Sequence, residues 1–221
     1  MVEKIKIMSL GNNAVLLQLG TVINEKMNER TIALADFLTK NPFDGFIEAV
    51  PAYASITVFY VLSPVNRYEK IRLYLEEKYL IFEKEFIIKN TDNEAITIKI
   101  PVVYQGEDLS YLADVHGLSE AEIIEIHSSV IYRVYMLGFL PGFAYLGGLD
   151  SRIATPRRAS PRLRVPTGSV GIAGHQTGVY PSASPGGWQL IGHTDLRLFD
   201  RHASQNSLLQ PGDMVQFVSI L

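Results

Sequence analysis

Five arginines, Arg152, Arg157, Arg158, Arg162 and Arg164, crowd into the stretch Ser151–Thr194, which contains no Asp or Glu. That stretch carries a formal charge of +5 inside a chain whose net charge is −3. A guanidinium is planar, permanently charged and forked, which suits carboxylate, phosphate or carbamate recognition. Arg157 and Arg162 each directly follow a proline that stiffens the backbone, and they are the candidate anion contacts. The alternative is a solvated basic loop, or arginines paired with acids elsewhere. Two histidines share the region. His175 lies in a glycine-bracketed loop, Ala173-Gly174-His175-Gln176-Thr177-Gly178, whose polar side chains can face a ligand. His193 stands near the end of Tyr180–Asp195, YPSASPGGWQLIGHTD, where Tyr180 and His193 would border a pocket that the arginines make attractive to anions. Within that stretch Pro185-Gly186-Gly187 reads as a turn, and Trp188 as the start of a short buried strand.

Several chemistries are excluded. Every lysine lies at or before Lys99 and no GxxxxGK motif occurs, so a phosphate loop of the lysine type is absent. The GxSxG nucleophile elbow is missing, and a serine/lysine amidase site would need a lysine in the glycine-rich half. Cysteine is absent, which removes disulfides and thiolate sites together. His175 and His193 lack nearby ligand spacing, so no metal site is expected. The acidic balance argues against nucleic acid as a partner.

The elements that must position these residues follow from the rest of the chain. An apolar fraction of 47% with 19% charged residues is that of a core-forming globular chain. No run approaches the roughly 18 apolar residues of a membrane span. The beginning, MVEKIKIMSLG, alternates like a strand and not like a signal peptide, so a cytoplasmic address with no membrane partner is expected. Strands are expected at Lys4–Met8, Ala14–Leu19, Phe46–Val50 and Ser55–Leu62, with helices from Asn24 to about Lys40 and over Tyr68–Tyr79. The order ββαββα describes a two-layer sandwich over residues 1–88, followed by a turn at 89–93. In the second domain, 89–221, a strand at Ala95–Val103 and helices at Asp108–Val115 and Ser119–Ser128 come first. His127 would act there as a cation at a helix C-terminus. Eleven of the 17 glycines then fall between Gly138 and Gly192, separating short apolar pieces at Ile131–Leu137, Ser169–Ala173, Gln189–Ile191, Leu196–Phe199 and Met214–Ile220. That texture predicts a β-barrel or sandwich, and an α+β class for the whole.

The runs MLGFLPGFAYLGGLD (Met136–Asp150), TPRRASPRLRVPTGSVGIAG (Thr155–Gly174) and GHQTGVYPSASPGGWQLIGHT (Gly174–Thr194) resemble the first subunit of the allophanate-hydrolase-subunit family. That family includes the B component of ATP-dependent 5-oxoprolinase and Kip-type inhibitors of a sporulation histidine kinase, and related domains occur in urea carboxylase. The resemblance implies a small α/β domain followed by a cyclophilin-like β-barrel. It implies a role in opening the 5-oxoproline lactam to glutamate, with ATP and magnesium used at the level of the complex. The implied partners are a homologous barrel protein, the C component, and a third protein, the A component. On that footing Arg157 and Arg162 contact anions, Gln176 and Thr177 orient a polar substrate group, and His175 or His193 handles protons. Two departures stand out. Gly106-Glu107-Asp108-Leu109 is shorter than the family's usual stretch, and Gly192-His193-Thr194-Asp195 replaces a more usual Gly-Arg-Thr-Pro. The Kip-type branch implies the alternative, a partner histidine kinase and no turnover.

Overall fold

Alternation along two strands places Val15, Leu17, Ile56, Val58 and Tyr60 on one buried face, and two amphipathic helices cover it with Leu34, Leu38, Ile71 and Leu75. The computed structural model describes residues 5–88 and 97–220. The chain divides into two units, Met1–Glu94 and Ala95–Leu221. The boundary expected after residue 88 and the turn expected at 89–93 lie outside the described residues. In the first unit the elements are β1 (Lys6–Leu10), β2 (Ala14–Gln18), α1 (Glu25–Lys40), β3 (Phe46–Pro51), β4 (Ser55–Tyr60) and α2 (Tyr68–Ile88). The sheet is antiparallel in the order β1-β2-β4-β3. Asn24 caps α1 as its sequence suggests, its side-chain oxygen accepting from the Met27 N–H at 2.9 Å. Helix α2 runs nine residues beyond the expected Tyr79, because the apolar stripe continues through Phe82 and Phe86 into the same core.

The second unit contains β5 (Thr97–Val102), α3 (Leu109–His116), α4 (Glu120–Ser129), β6 (Ile131–Leu137), β7 (Ala144–Gly147), a 3-10 turn (Ser151–Ile153), β8 (Arg162–Val165), β9 (Ser169–Ala173), β10 (Gln176–Val179), β11 (Ser184–Gly186), β12 (Gln189–His193) and β13 (Met214–Ser219). Seven strands form a sheet in the order β12-β9-β10-β7-β6-β13-β5, parallel only between β5 and β13. The two edges meet where Val103 and His193 exchange both backbone hydrogen bonds at 2.9 Å, which nearly closes the sheet into a barrel. A side chain at Gly192 would prevent this closure, since its Cβ would lie 2.7 Å from Val102 Cγ1 and 2.9 Å from the Val103 oxygen. The α+β class and the cyclophilin-like barrel expected from the sequence are both present.

Strands β7, β8, β10 and β11 escape a reading based on apolar runs, because each is only three or four residues long and includes glycine, proline or arginine. Leu196–Phe199 is not a strand. Leu198 is buried, but the segment's backbone pairing is limited to a bridge between Phe199 and Ser207 and the Leu208 N–H to Leu198 O bond among the described residues. The Pro185-Gly186-Gly187 turn is also corrected: Pro185 and Gly186 lie in β11, paired with β8, and neither glycine has a positive φ. Gly186 is required for space, because its Cβ would fall 2.4 Å from the Tyr180 hydroxyl.

His127 differs from expectation as well. Its ring is fully buried and stacks on Phe217 at 4.6 Å between centroids. The Thr177 hydroxyl donates to the Gly171 oxygen at 3.0 Å, so it accepts from His127 Nε2 at 2.9 Å. His127 Nδ1 is then left to accept from the Tyr104 hydroxyl at 2.8 Å. Burial drives the imidazole down to a pKa of about 3, so it is neutral and cannot serve as the cation of a helix end. Because the folded value lies below the unfolded one, stability is complete above about pH 6.5 and is lost as pH falls toward 3. The expected cost is about 1.4 kcal/mol per pH unit in that window. Urea unfolding at pH 7 and pH 5 checks this: His127→Gln should flatten the pH dependence by about one proton, and an unchanged slope would refute it.

Candidate functional site

The first element of the site is an acid that comes from outside the arginine-rich stretch. Beyond the barrel closure, Gly106 N–H bonds to Ile191 O at 3.2 Å and Asp108 N–H to Leu190 O at 2.9 Å, which lays residues 103–108 along β12. Asp108 thereby sits buried at the start of α3, although its side chain makes no capping bond there. Its Oδ1 accepts from Arg158 Nη1 at 2.8 Å and Arg162 Nη2 at 2.8 Å. Its Oδ2 accepts from Arg162 Nη2 at 2.7 Å and from the Leu190 N–H at 2.7 Å. Arg162 also bonds Glu107 Oε2 at 3.1 Å and Trp188 O at 3.4 Å. Two of the five arginines therefore hold an internal hub, and Arg152 pairs with Asp150 at 2.7 Å. Arg157 and Arg164 are exposed and have no carboxylate partner among the described residues.

Arg157 lies over the Trp188 ring, with 6.0 Å to its centroid. Trp188 belongs to a set of mostly edge-on aromatic rings. Phe143 meets it at 5.3 Å, Tyr180 meets Phe143 at 5.3 Å, and Tyr145 meets Phe143 at 5.0 Å. Phe139 completes the set at 5.6 Å from Phe143 and is 60% exposed. It is the only described non-glycine residue with positive φ, 69°. That conformation costs about 1–3 kcal/mol and is characteristic of functional loops. The result is a largely buried aromatic cluster that reaches solvent at Phe139, with the exposed Arg157 guanidinium over Trp188.

A shallow cavity of about 250 Å3 opens next to the hub, lined by Tyr111, Arg158, Ala159, Ser160 and Gln189. Gln189 is the buried residue of that lining. Its Nε2 donates to Pro156 O at 3.0 Å, and its Oε1 has no hydrogen-bond partner.

The residues singled out from the sequence do not gather at one place. Arg157, Arg162 and Tyr180 gather around Trp188, but Arg162 is engaged with Asp108 and Glu107. Tyr180 is 1% exposed, and burial raises its hydroxyl pKa, with the Trp188 N–H bond opposing. Thr177 is fully buried with its hydroxyl committed to His127 and Gly171. Both are placed in the interior, away from a surface that a substrate reaches. His175 is exposed at the turn between β9 and β10, and half-buried Gln176 begins β10. His193 pairs with Ser169 at the other end of β9, so the length of that five-residue strand, roughly 13 Å, separates it from the turn that carries His175. The structure does not bring the two histidines together. His193 Nε2 faces the exposed Asp195 at 3.0 Å, while its backbone closes the barrel.

Asp108, Phe139 and Gln189 carry no obvious signature in the sequence. The only hint of Asp108 is an acidic pair, Glu107-Asp108, that follows the last lysine, Lys99, and precedes the arginine-rich stretch. Among the described residues no three His, Asp or Glu side chains gather as a metal would require, and no helix is long and apolar enough to cross a membrane.

The profile of the carboxyltransferase domain, subdomain C and D, matches residues 5–209. A protein of Bacillus subtilis, named as the B component of 5-oxoprolinase, is 44% identical over 232 residues, covering 100% of this chain and 95% of that protein. Its namesake in Escherichia coli O157:H7 is 45% identical over 216 residues, covering 95% and 93%. The crystal structure of TTHA0988 superimposes with a TM-score of 0.80 at 36% identity, and this chain spans 95% of itself but 40% of that longer chain.

Proposed function

Because the chain belongs to the carboxyltransferase-domain family, subdomains C and D, we propose that it serves as the B component of a multi-subunit 5-oxoprolinase. Near-complete mutual coverage with two proteins of that name carries this reading. The reaction is hydrolysis of the lactam of 5-oxoproline to glutamate. Water adds to the ring carbonyl and the carbon–nitrogen bond breaks. Lactam resonance makes the carbon a poor electrophile, so the site must hold the substrate in register and stabilise developing negative charge. Arg157, which lies beside Trp188 and, like Arg164, has no carboxylate partner among the described residues, is the cation assigned to that purpose. Arg162 acts indirectly, holding the Trp188 carbonyl and Asp108 in place.

ATP with magnesium does not fit the described residues of this chain. No lysine follows Lys99 of β5, so none stands in the arginine-rich stretch to reach phosphates, no trio of acids or histidines is assembled among the described residues, and the 250 Å3 cavity beside the hub falls below the range of about 300–1,000 Å3 usual for ligand sites. Nucleotide chemistry is therefore allotted to the partners, the homologous barrel protein (the C component) and the A component, in the cytoplasm. Retrieving the tagged full chain from its native cell tests the assignment. A second barrel protein should come with it in equal amount; recovery of a histidine kinase alone would sink the proposal.

A further inference from the structure

Arg157 and Trp188 are brought face to face by two hydrogen bonds between their chain neighbours. On one side of Arg157, the Pro156 oxygen accepts from Gln189 Nε2 at 3.0 Å. On the other, the Arg158 N–H donates to the Gly187 oxygen at 2.7 Å. The two residues flanking Arg157 are thereby tied to the two residues flanking Trp188. The Gln189 end of this clamp is well anchored, because its backbone pairs with Ile172 of β9 and the residue is 4% exposed. Proline has no N–H, so its carbonyl is the one backbone group by which Pro156 can be held. Only the NH2 of an amide can donate to that carbonyl, so the bond also fixes which way the Gln189 amide points.

The contact that this clamp supports is weak by itself. Arg157 is exposed, and its guanidinium carbon lies 6.0 Å from the Trp188 ring centroid, at the outer reach of a cation–π attraction. A long solvated side chain leaves such a contact readily unless its backbone is presented in register. We infer that Gln189 is a positioning residue: by holding the Pro156 carbonyl it sets where Arg157 offers its charge. Resting on the 5-oxoprolinase reading above, that charge meets the negative charge developing on the substrate, and Gln189 serves the reaction without touching it. Preorganised charge is effective because it need not be moved into place during the reaction. A displacement of about 1 Å at such a group can cost about 100-fold in rate.

Trp188 is the only tryptophan in the chain, so intrinsic fluorescence reports its surroundings alone. Gln189→Met keeps a side chain of similar length and removes the donor. Pro156 is exposed, so water can hydrate its oxygen in the variant, and the amide's Oε1 has no partner to lose. The melting temperature should therefore stay at the wild-type value. Arg157→Ala should move the Trp188 emission maximum, and Gln189→Met should reproduce that displacement. In the reconstituted complex Gln189→Met should lower kcat/KM by about tenfold. The double variant should turn over no more slowly than Arg157→Ala alone, because both changes remove the same contribution. Wild-type emission from Gln189→Met, or additive losses in the double variant, would overturn the positioning role. The two proposals fail separately. Full turnover by Gln189→Met with displaced emission would remove the positioning role and keep the 5-oxoprolinase assignment. A wild-type complex that releases no glutamate would remove the assignment, and the emission spectra would still decide whether Gln189 places Arg157.

Discussion

Asp108→Ala is expected to destabilise the barrel unit by about 3–5 kcal/mol, the cost of breaking a buried ion pair from one side. The carboxylate accepts from two guanidinium groups and from the Leu190 N–H, and its side chain is only 6% exposed. Removing it leaves Arg162, itself 14% exposed, as a poorly compensated charge against Trp188 and Glu107. The partners are not equivalent. Arg158 is 39% exposed, so Arg158→Ala should cost about 0–1 kcal/mol, as for surface pairs. In the Asp108→Ala background, Arg162→Leu should recover part of the loss, because the stranded charge disappears with it. Equilibrium urea unfolding of the four proteins gives the comparison. Wild-type stability in Asp108→Ala, or no recovery in the double variant, would show that the hub does not hold the arginine loop.

Gly106→Ala should be at least as damaging, although it adds a single methyl group. The new Cβ would lie 2.3 Å from Leu190 O and 2.4 Å from Ile191 C, both backbone atoms of β12 that have no rotamer to escape into. Either the 103–108 segment or β12 must move. Movement would lengthen the Gly106–Ile191 and Asp108–Leu190 hydrogen bonds together with the Asp108 contacts that follow them. Overpacking of this kind costs about 1–3 kcal/mol and more where backbone blocks relaxation, so a loss above about 3 kcal/mol is expected. Amide hydrogen exchange should show Leu190 and Ile191 deprotected well before the strands of the first unit. Uniform protection in Gly106→Ala would mean that the segment is not locked to β12.

The first unit could be read from the sequence because its strands and helices follow simple periods. Val15 and Leu17 alternate, Ile71, Leu75 and Tyr79 step by four, and Asn24 supplies its own cap. Helix α4 starts where expected because Ser119 and Glu122 form a capping box, the Glu122 side chain accepting from the Ser119 N–H at 2.7 Å. The barrel was visible mainly as texture. Strands such as β8, RLRV, and β11, SPG, have too few apolar residues to announce themselves, and their pairing depends on residues far away in the chain. The same non-locality explains the site. The Ser151–Thr194 stretch looked like unopposed positive charge, yet its counter-ion is supplied by Asp108, 50 residues before Arg158. Arg157 remained a free cation, whereas Thr177 and Tyr180 turned inward because strand parity and the aromatic packing decide their direction.

ATP-dependent release of glutamate from 5-oxo-L-proline, measured in the reconstituted complex with and without this chain, is the most direct measurement. Turnover should require the chain, the chain alone should release no glutamate, and Arg157→Ala in the complex should lower kcat/KM by about tenfold or more at wild-type stability. Full activity of the remaining components without this chain would contradict the account.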